Sequence, residues 1–277
     1  MQMKKDAPIG IFDSGVGGLT VAKRIMELMP NEQIVYFGDT ARAPYGIHTN
    51  ERIVKQSKQI LRFLTEKGVK CAVIACNTIC AAGYDELAAS FEPPLYSIIA
   101  PAAEECVETL RSEGLSKVGV IATEATVKSG AYEREIKKLY PGAKVYQVPC
   151  PELVVIAEAG EADGERGKAQ IEIYLKELKE AGIDAIILGC THFPLFTRHI
   201  VNYLGNGVKI IDPANAAAQK VKKELLEMQL SVNINNKPAH DFNASGDIVI
   251  FNEIAGNILQ GVYNELVNTQ KVDIEKY

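Results

Sequence analysis

No apolar run in this 277-residue chain approaches the ~18 consecutive residues that a membrane-spanning helix needs. The opening residues, MQMKKDAPIGIF, lack the apolar core and small-residue cleavage signal of a secretory peptide. The expectation is a cytoplasmic protein with no membrane partner. An excess of basic charge is also missing, since 30 Lys and Arg face 35 Asp and Glu for a net charge of −5. The densest basic cluster, Lys220 to Lys223, lies beside acidic residues without interleaved aromatics. It reads as a solvated helix face, and no nucleic-acid partner is expected. The six cysteines (Cys71, Cys76, Cys80, Cys106, Cys150, Cys190) form no CxxC pair and no zinc-ligand spacing, so free thiols and no bound metal are expected.

Core-forming residues are not scarce. Hydrophobic residues make up 47% of the chain and charged residues 23%, which is too apolar for disorder. Surface scaling for this mass implies that folding hides roughly 73% of the chain's surface, so no disulfide or metal staple is required. At roughly 150 residues per domain, about two domains are expected.

Short apolar runs alternate with helical periodicity. Strands are expected at Ile9 to Phe12, Ile34 to Phe37, Val73 to Ala75, Val118 to Ile121, Val145 to Val148, Ile186 to Leu188 and Val208 to Ile211. Ile53, Ile60, Leu61 and Leu64 share one face of an intervening helix. Strands separated by helices of ten or more residues point to an α/β fold with parallel sheets. Ser231 to Gly246, polar and rich in Asn, reads as the least structured segment.

The chain also repeats itself. EKGVKCAVIACNT, ending at Thr78, aligns without a gap on EAGIDAIILGCTH, ending at His192, at an offset of 114 that superposes Cys76 on Cys190. Ile9 to Phe12 echoes Val118 to Ile121 at an offset of 109. Two similar α/β domains explain both, and the shared cysteine at a strand end strengthens the match.

Loops after the carboxyl ends of parallel strands line the ligand crevice of open α/β sheets. Four such loops carry reactive or grasping residues: Asp13-Ser14, Gly38-Asp39-Thr40, Cys76-Asn77-Thr78 and Cys190-Thr191-His192. Each cysteine stands between a strand and a helix start, where free N–H groups and the helix dipole favour a thiolate. If the halves face each other, two thiols approach one pocket from opposite sides. Removing a proton from one face of a carbon and returning one to the other inverts a stereocentre, and neither metal nor pyridoxal phosphate is needed.

At these residues the chain resembles a known family. FDSGVGGLT, YFGDTARAPYG, ACNT and LGCTHFPL resemble four signature segments of the glutamate racemases, in the cofactor-independent amino-acid racemase superfamily. The resemblance runs from Ile9 to about Gly261 and includes GVIATEATVKSGAY, IDPANAAA and the SGD…FNEIAGNIL tail. It implies interconversion of L- and D-glutamate for peptidoglycan, in a cleft between two α/β domains, with no cofactor. It also implies Cys76 and Cys190 as the acid/base pair, with Asp13 and His192 assisting them. Cys76 is implied to face D-glutamate and Cys190 L-glutamate. Asp13, Ser14, Tyr45, Gly46, Asn77, Thr78, Thr191 and His192 are the implied substrate contacts, with Thr123 and Thr126 as further candidates. Glu158 falls where the family often has an acidic residue, although Val155 replaces a usual Pro. Ile79 and Cys80 depart from the small residues common after CNT.

Plainer readings stand beside these. Asp13, Ser14 and the threonines serve equally as helix caps. Cys71, Cys106 and Cys150 read as inert buried thiols, and His48, His199 and His240 as packing or surface residues. The Gly15 to Gly18 turn invites a dinucleotide reading, but Thr20 stands where the last glycine of GxGxxG belongs. The expected domains are residues 1–98 with 209–277, and 99–208. An aspartate racemase or related thiol isomerase, and a non-catalytic two-lobe binding protein, are the competing functions. Besides a small-molecule substrate, the partner considered is a second copy of the chain in a homodimer.

Overall fold

The computed structural model describes residues 4–232, 238–263 and 267–277. Along the chain run β1 (Ile9–Asp13), α1 (Leu19–Leu28), β2 (Ile34–Gly38), α2 (Asn50–Glu66), β3 (Cys71–Ile74), α3 (Asn77–Ala89) and β4 (Leu95–Ser97). Then come α4 (Ile99–Ser112), β5 (Lys117–Ala122), α5 (Glu124–Ser129), α6 (Ala131–Leu139), β6 (Lys144–Pro149), α7 (Pro151–Glu158), α8 (Glu165–Ala181) and β7 (Ala185–Gly189). The chain continues with α9 (Thr197–Leu204), β8 (Lys209–Ile211), α10 (Pro213–Glu227), β9 (Asp241–Ala244), α11 (Ile248–Leu259) and β10 (Thr269–Lys271). Two compact units result: Met1–Ile98 with Ala217–Tyr277, and Ile99–Ala216.

The first unit holds a six-stranded sheet in the order β10-β9-β2-β1-β3-β4, and the second a four-stranded sheet in the order β6-β5-β7-β8. Every pairing is parallel. The order β2-β1-β3-β4 thus recurs as β6-β5-β7-β8, so the repeat extends over four strands. Register agrees as well: Phe12 pairs with Ile74 in one sheet and Ile121 with Leu188 in the other. Those are the positions related by the offsets of 109 and 114. Central strands covered on both faces become unbroken apolar runs, and β1, β2, β3 and β7 are buried at every residue.

Three strands escape the sequence pattern. β4 and β10 have three residues each, and β9 lies inside the segment expected to be least structured. Residues 233–237 of that segment lie outside the described residues. Buried Asn243 in β9 donates its side-chain amide to Tyr36 O at 3.3 Å and Asp241 Oδ1 at 3.0 Å, which lets a polar residue occupy the sheet interior. The expected return strand is corrected too. β8 pairs with β7 in the second sheet, so the chain returns to the first unit within α10, not at residue 209.

The glycine-rich turn after β1 has a packing cause. A Cβ on Gly18 would lie 2.5 Å from Asp13 Cβ and 2.8 Å from Ala75 Cβ, so only glycine lets α1 begin this close to the strand ends. Below the sheet, Lys70 donates to Glu32 Oε2 at 2.6 Å, Lys5 O at 2.9 Å and Leu230 O at 2.8 Å, tying four segments together. Among the described residues, no helix is long and apolar enough to cross a membrane.

Candidate active site

In each unit the chain leaves the first strand toward one neighbour, and the third strand lies on the other side of it. That reversal of strand order opens a crevice at the carboxyl ends of β1 and β3, and again at those of β5 and β7. Cys76 and Cys190 stand at these two places. All six cysteines are buried and none is joined in a disulfide.

In the first unit Cys76 is the residue immediately before α3. Its Sγ lies 3.5 Å from Ser14 Oγ. Asp13, at the end of β1, is 1% exposed, and its Oδ2 accepts from Gly18 N at 2.9 Å and Gly15 N at 3.3 Å. Asp13 therefore secures the turn before α1, as a capping residue would, while its buried Oδ1 has no hydrogen-bond partner. Burial pushes the Cys76 thiol well above the ordinary thiol range, and the Asp13 carboxylate adds to the shift. Hydrogen bonds from Ser14 and from the backbone of Ile79 and Ser14 oppose it without reversing it. At Cys76, burial therefore works against the thiolate that a helix start favours. Asn77 and Thr78 form the first turn of α3 and are both buried.

The loop after β2 carries Tyr45 and Gly46. Tyr45 is buried, and its hydroxyl donates to Asp39 Oδ2. Cys76 contributes to raising the Tyr45 hydroxyl, after burial and Asp39, so the ring lies within electrostatic range of the thiol. A Cβ on Gly46 would meet nothing within 4 Å, so packing does not demand glycine there.

In the second unit Cys190 follows β7. It precedes a short 3-10 turn at Phe193–Phe196 and not an α-helix, so the expected helix start is reduced to one turn of weak dipole. Cys190 Sγ lies 3.7 Å from His192 Nδ1, and His192 Nε2 is 3.6 Å from Glu158 Oε1. Thr191, between them, is buried. Thr123 Oγ1 accepts from Thr126 N at 3.3 Å and donates to Thr126 Oγ1 at 3.0 Å, which makes Thr123 the cap of α5. Burial pushes the Cys150 thiol upward and Cys190 adds to the shift, in line with an inert thiol.

The structure thus groups Asp13, Ser14, Tyr45, Gly46, Cys76, Asn77 and Thr78 around the strand ends of the first unit, and Cys190, Thr191 and His192 at those of the second. Glu158 joins the second group, although its motif is the weaker match. Sequence reasoning overlooked Tyr36, whose hydroxyl donates to Gly15 O at 2.9 Å and is raised by burial, Asp13 and Cys76. It also overlooked Arg42, which donates to Asp39 Oδ2 at 2.7 Å. Both lie within the quoted YFGDTARAPYG, where the signal was present but unassigned. Elsewhere, His48 Nε2 lies 3.2 Å from Arg42 O, His240 packs on Phe242 and Tyr263, and His199 lies 3.8 Å from Asp163. Among the described residues, no three His, Cys, Asp or Glu side chains are grouped to hold a metal ion.

Comparison with known proteins bears on the family and the fold. The model of the Asp/Glu/Hydantoin racemase family matches residues 16–221, a span that includes both cysteines and begins just after Ser14. A glutamate racemase from Thermoanaerobacter sp. strain X514 is 43% identical over 270 residues, covering 98% of each chain. The crystal structure of a glutamate racemase isoform from Bacillus anthracis superposes with a TM-score of 0.91 at 33% identity, covering 97% of this chain and 98% of that one. The enzyme from Francisella tularensis subsp. tularensis SCHU S4, solved in complex with D-glutamate, gives a TM-score of 0.89 at 35% identity over 99% and 100% of the two chains. The repeated fold, the matched thiols and these likenesses together show that the chain belongs to the Asp/Glu/Hydantoin racemase family, alongside its glutamate racemases.

Proposed function

We propose that the chain interconverts L- and D-glutamate through Cys76 and Cys190, each serving one face of the same α-carbon. The observation that carries this reading is the placement of the two thiols at equivalent positions of a four-strand repeat, each beside a different assisting group. A lobe that only bound ligand would have no need of a reactive thiol at that position in both halves.

The two half-sites differ in a way that suits opposite tasks. Burial and Asp13 hold the proton on Cys76, which favours delivery of a proton from that side. Cys190 has an imidazole nitrogen 3.7 Å away, within reach to take or return the thiol proton, and Glu158 Oε1 lies 3.6 Å from the other ring nitrogen. Cys190 then acts as the base on one enantiomer and Cys76 as the acid, with the roles exchanged for the other. Ser14, Asn77, Thr78, Thr191 and the Tyr45–Gly46 turn supply polar groups for the amino and carboxylate ends of a small dicarboxylic amino acid. Resemblance to the family assigns the product D-glutamate to peptidoglycan synthesis in the cytoplasm.

Circular dichroism of L- or D-glutamate incubated with the purified protein and no added cofactor tests the reading. The signal of either enantiomer should decay to zero, whereas aspartate should keep its signal over the same period. A constant glutamate signal with folded protein would overturn the proposal.

A further inference from the structure

The last residues of the chain are tied to the loop that carries Tyr45. Ile274 is buried, the Tyr277 ring meets Phe63 edge-on at 5.5 Å, and Arg62 donates to Tyr277 O. Between these anchors Glu275 Oε1 accepts from Arg42 Nη1 at 2.9 Å, and its Oε2 accepts from Gln59 Nε2 at 3.5 Å. Arg42 Nη1 also donates to Gln59 Oε1 at 2.6 Å, and Arg42 Nε donates to Asp39 Oδ2 at 2.7 Å. Asp39 is fully buried, with Oδ2 also receiving the Tyr45 hydroxyl and Oδ1 receiving Ser245 Oγ at 2.7 Å. A continuous chain of charge-assisted hydrogen bonds therefore runs from Glu275 through Arg42 and Asp39 to Tyr45.

Exposure differs sharply along it. The Glu275 side chain is 68% exposed and that of Arg42 11%, while the Asp39 side chain is 0% exposed. A carboxylate as open as Glu275 contributes little to folding. What it can do is fix the planar guanidinium, which has a buried carboxylate on one edge and Gln59 and Glu275 on another. Removing Glu275 leaves Nη1 with Gln59 alone, and the tilt of the guanidinium passes to Asp39 and from there to the Tyr45 hydroxyl.

We propose that Glu275 is a positioning residue for the Tyr45–Gly46 turn, acting through Arg42 and Asp39, so that the segment 274–277 sets the geometry of the substrate loop. The proposal rests on the reading of that turn as part of the glutamate site. It extends that reading to a residue far from both thiols in sequence.

The test uses the full-length protein and the variants Glu275→Gln and Glu275→Lys, both at an exposed position that tolerates either side chain. Hydrogen exchange reads the loop directly, since Ala41 N donates to Ser245 Oγ at 3.0 Å, Arg42 N to Asp39 O at 3.1 Å and His48 N to Tyr45 O at 3.0 Å. In Glu275→Lys the peptide spanning residues 40–49 should exchange faster, with β1 unchanged. KM for glutamate should rise in the order wild type, Glu275→Gln, Glu275→Lys, by about threefold in the first variant, with kcat held within about twofold. The gap in KM should narrow at high salt, because the pair is exposed. Unchanged loop exchange in Glu275→Lys would overturn the proposal, as would equal KM values in all three proteins. So would parallel losses of kcat and melting temperature, which mark a purely structural effect. If the wild type fails to racemise glutamate, the functional reading falls, and the exchange measurement alone still decides whether Glu275 holds the loop.

Discussion

Burial, more than any neighbouring charge, governs the protons on Cys71, Cys76, Cys106 and Cys150. Desolvation pushes Cys71 up to about 12, Lys70 partly opposing it, and pushes Cys106 up to about 12 with help from Glu105. A thiol whose folded value exceeds its unfolded one contributes stability that is complete below the unfolded value and is lost as pH rises toward the folded one. Stability should therefore be flat up to about pH 8 and then fall between roughly pH 9 and 12, each such cysteine adding a slope of about 1.4 kcal/mol per pH unit. Urea unfolding followed from pH 7 to 11 measures it, and Cys71→Ala should flatten the alkaline limb even if it lowers stability at pH 7. An unchanged slope in that variant would show that Cys71 does not carry the effect. Of the site residues, the cysteines, Asp13 and His192 were legible because their chemistry and their place at strand ends coincide. The partnership of Arg42 and Asp39 with Glu275 was not legible. It joins residues separated by 233 positions in the chain, and only the tertiary fold brings them together.

Helices and strands carry a different lesson. The unbroken apolar runs of the central strands and the apolar face of α2, with Ile53, Ile60, Leu61 and Leu64 buried, could be read directly from spacing. β4, β9 and β10 could not, because short strands near a sheet's margins leave too little pattern, and in β9 a buried Asn243 disrupts it further. The staple at the start of β3 was equally hidden. The Lys70 and Glu32 side chains are 0% and 1% exposed, and Glu32 Oε1 accepts from Val232 N at 2.8 Å. Removing one partner of a buried pair strands the other's charge. Lys70→Met should therefore cost about 3–5 kcal/mol in urea unfolding, while Lys70→Met with Glu32→Leu should recover part of the loss. A loss below about 1 kcal/mol in the single variant would mean that the pair is not what joins these segments.

For the molecule as a whole, duplication is the organising fact. One strand order occurs twice, each copy places a cysteine just after its third strand, and the copies differ in what stands beside the thiol. Asp13 aligns with Ala122 at the offset of 109, and His192 with Thr78 at 114, so each half carries an assisting group that the other lacks. That asymmetry within a repeat is what an enzyme needs if it inverts one carbon using two unlike faces. The repeat was visible from two short sequence matches because the matched strands, β1 with β5 and β3 with β7, are buried alike in both units. Its full extent was not, because β4 and β8 are too short to align by eye. The most direct test of the two-thiol account is exchange of the α-hydrogen of glutamate in deuterated water, followed by NMR for each enantiomer with Cys76→Ser and Cys190→Ser. A serine hydroxyl is a far poorer base than a thiolate at neutral pH, so racemisation should collapse in both variants. Each should still exchange only the enantiomer that faces its remaining thiol, L-glutamate for Cys76→Ser and D-glutamate for Cys190→Ser. Wild-type racemisation in either variant, or exchange of the same single enantiomer by both, would contradict the account.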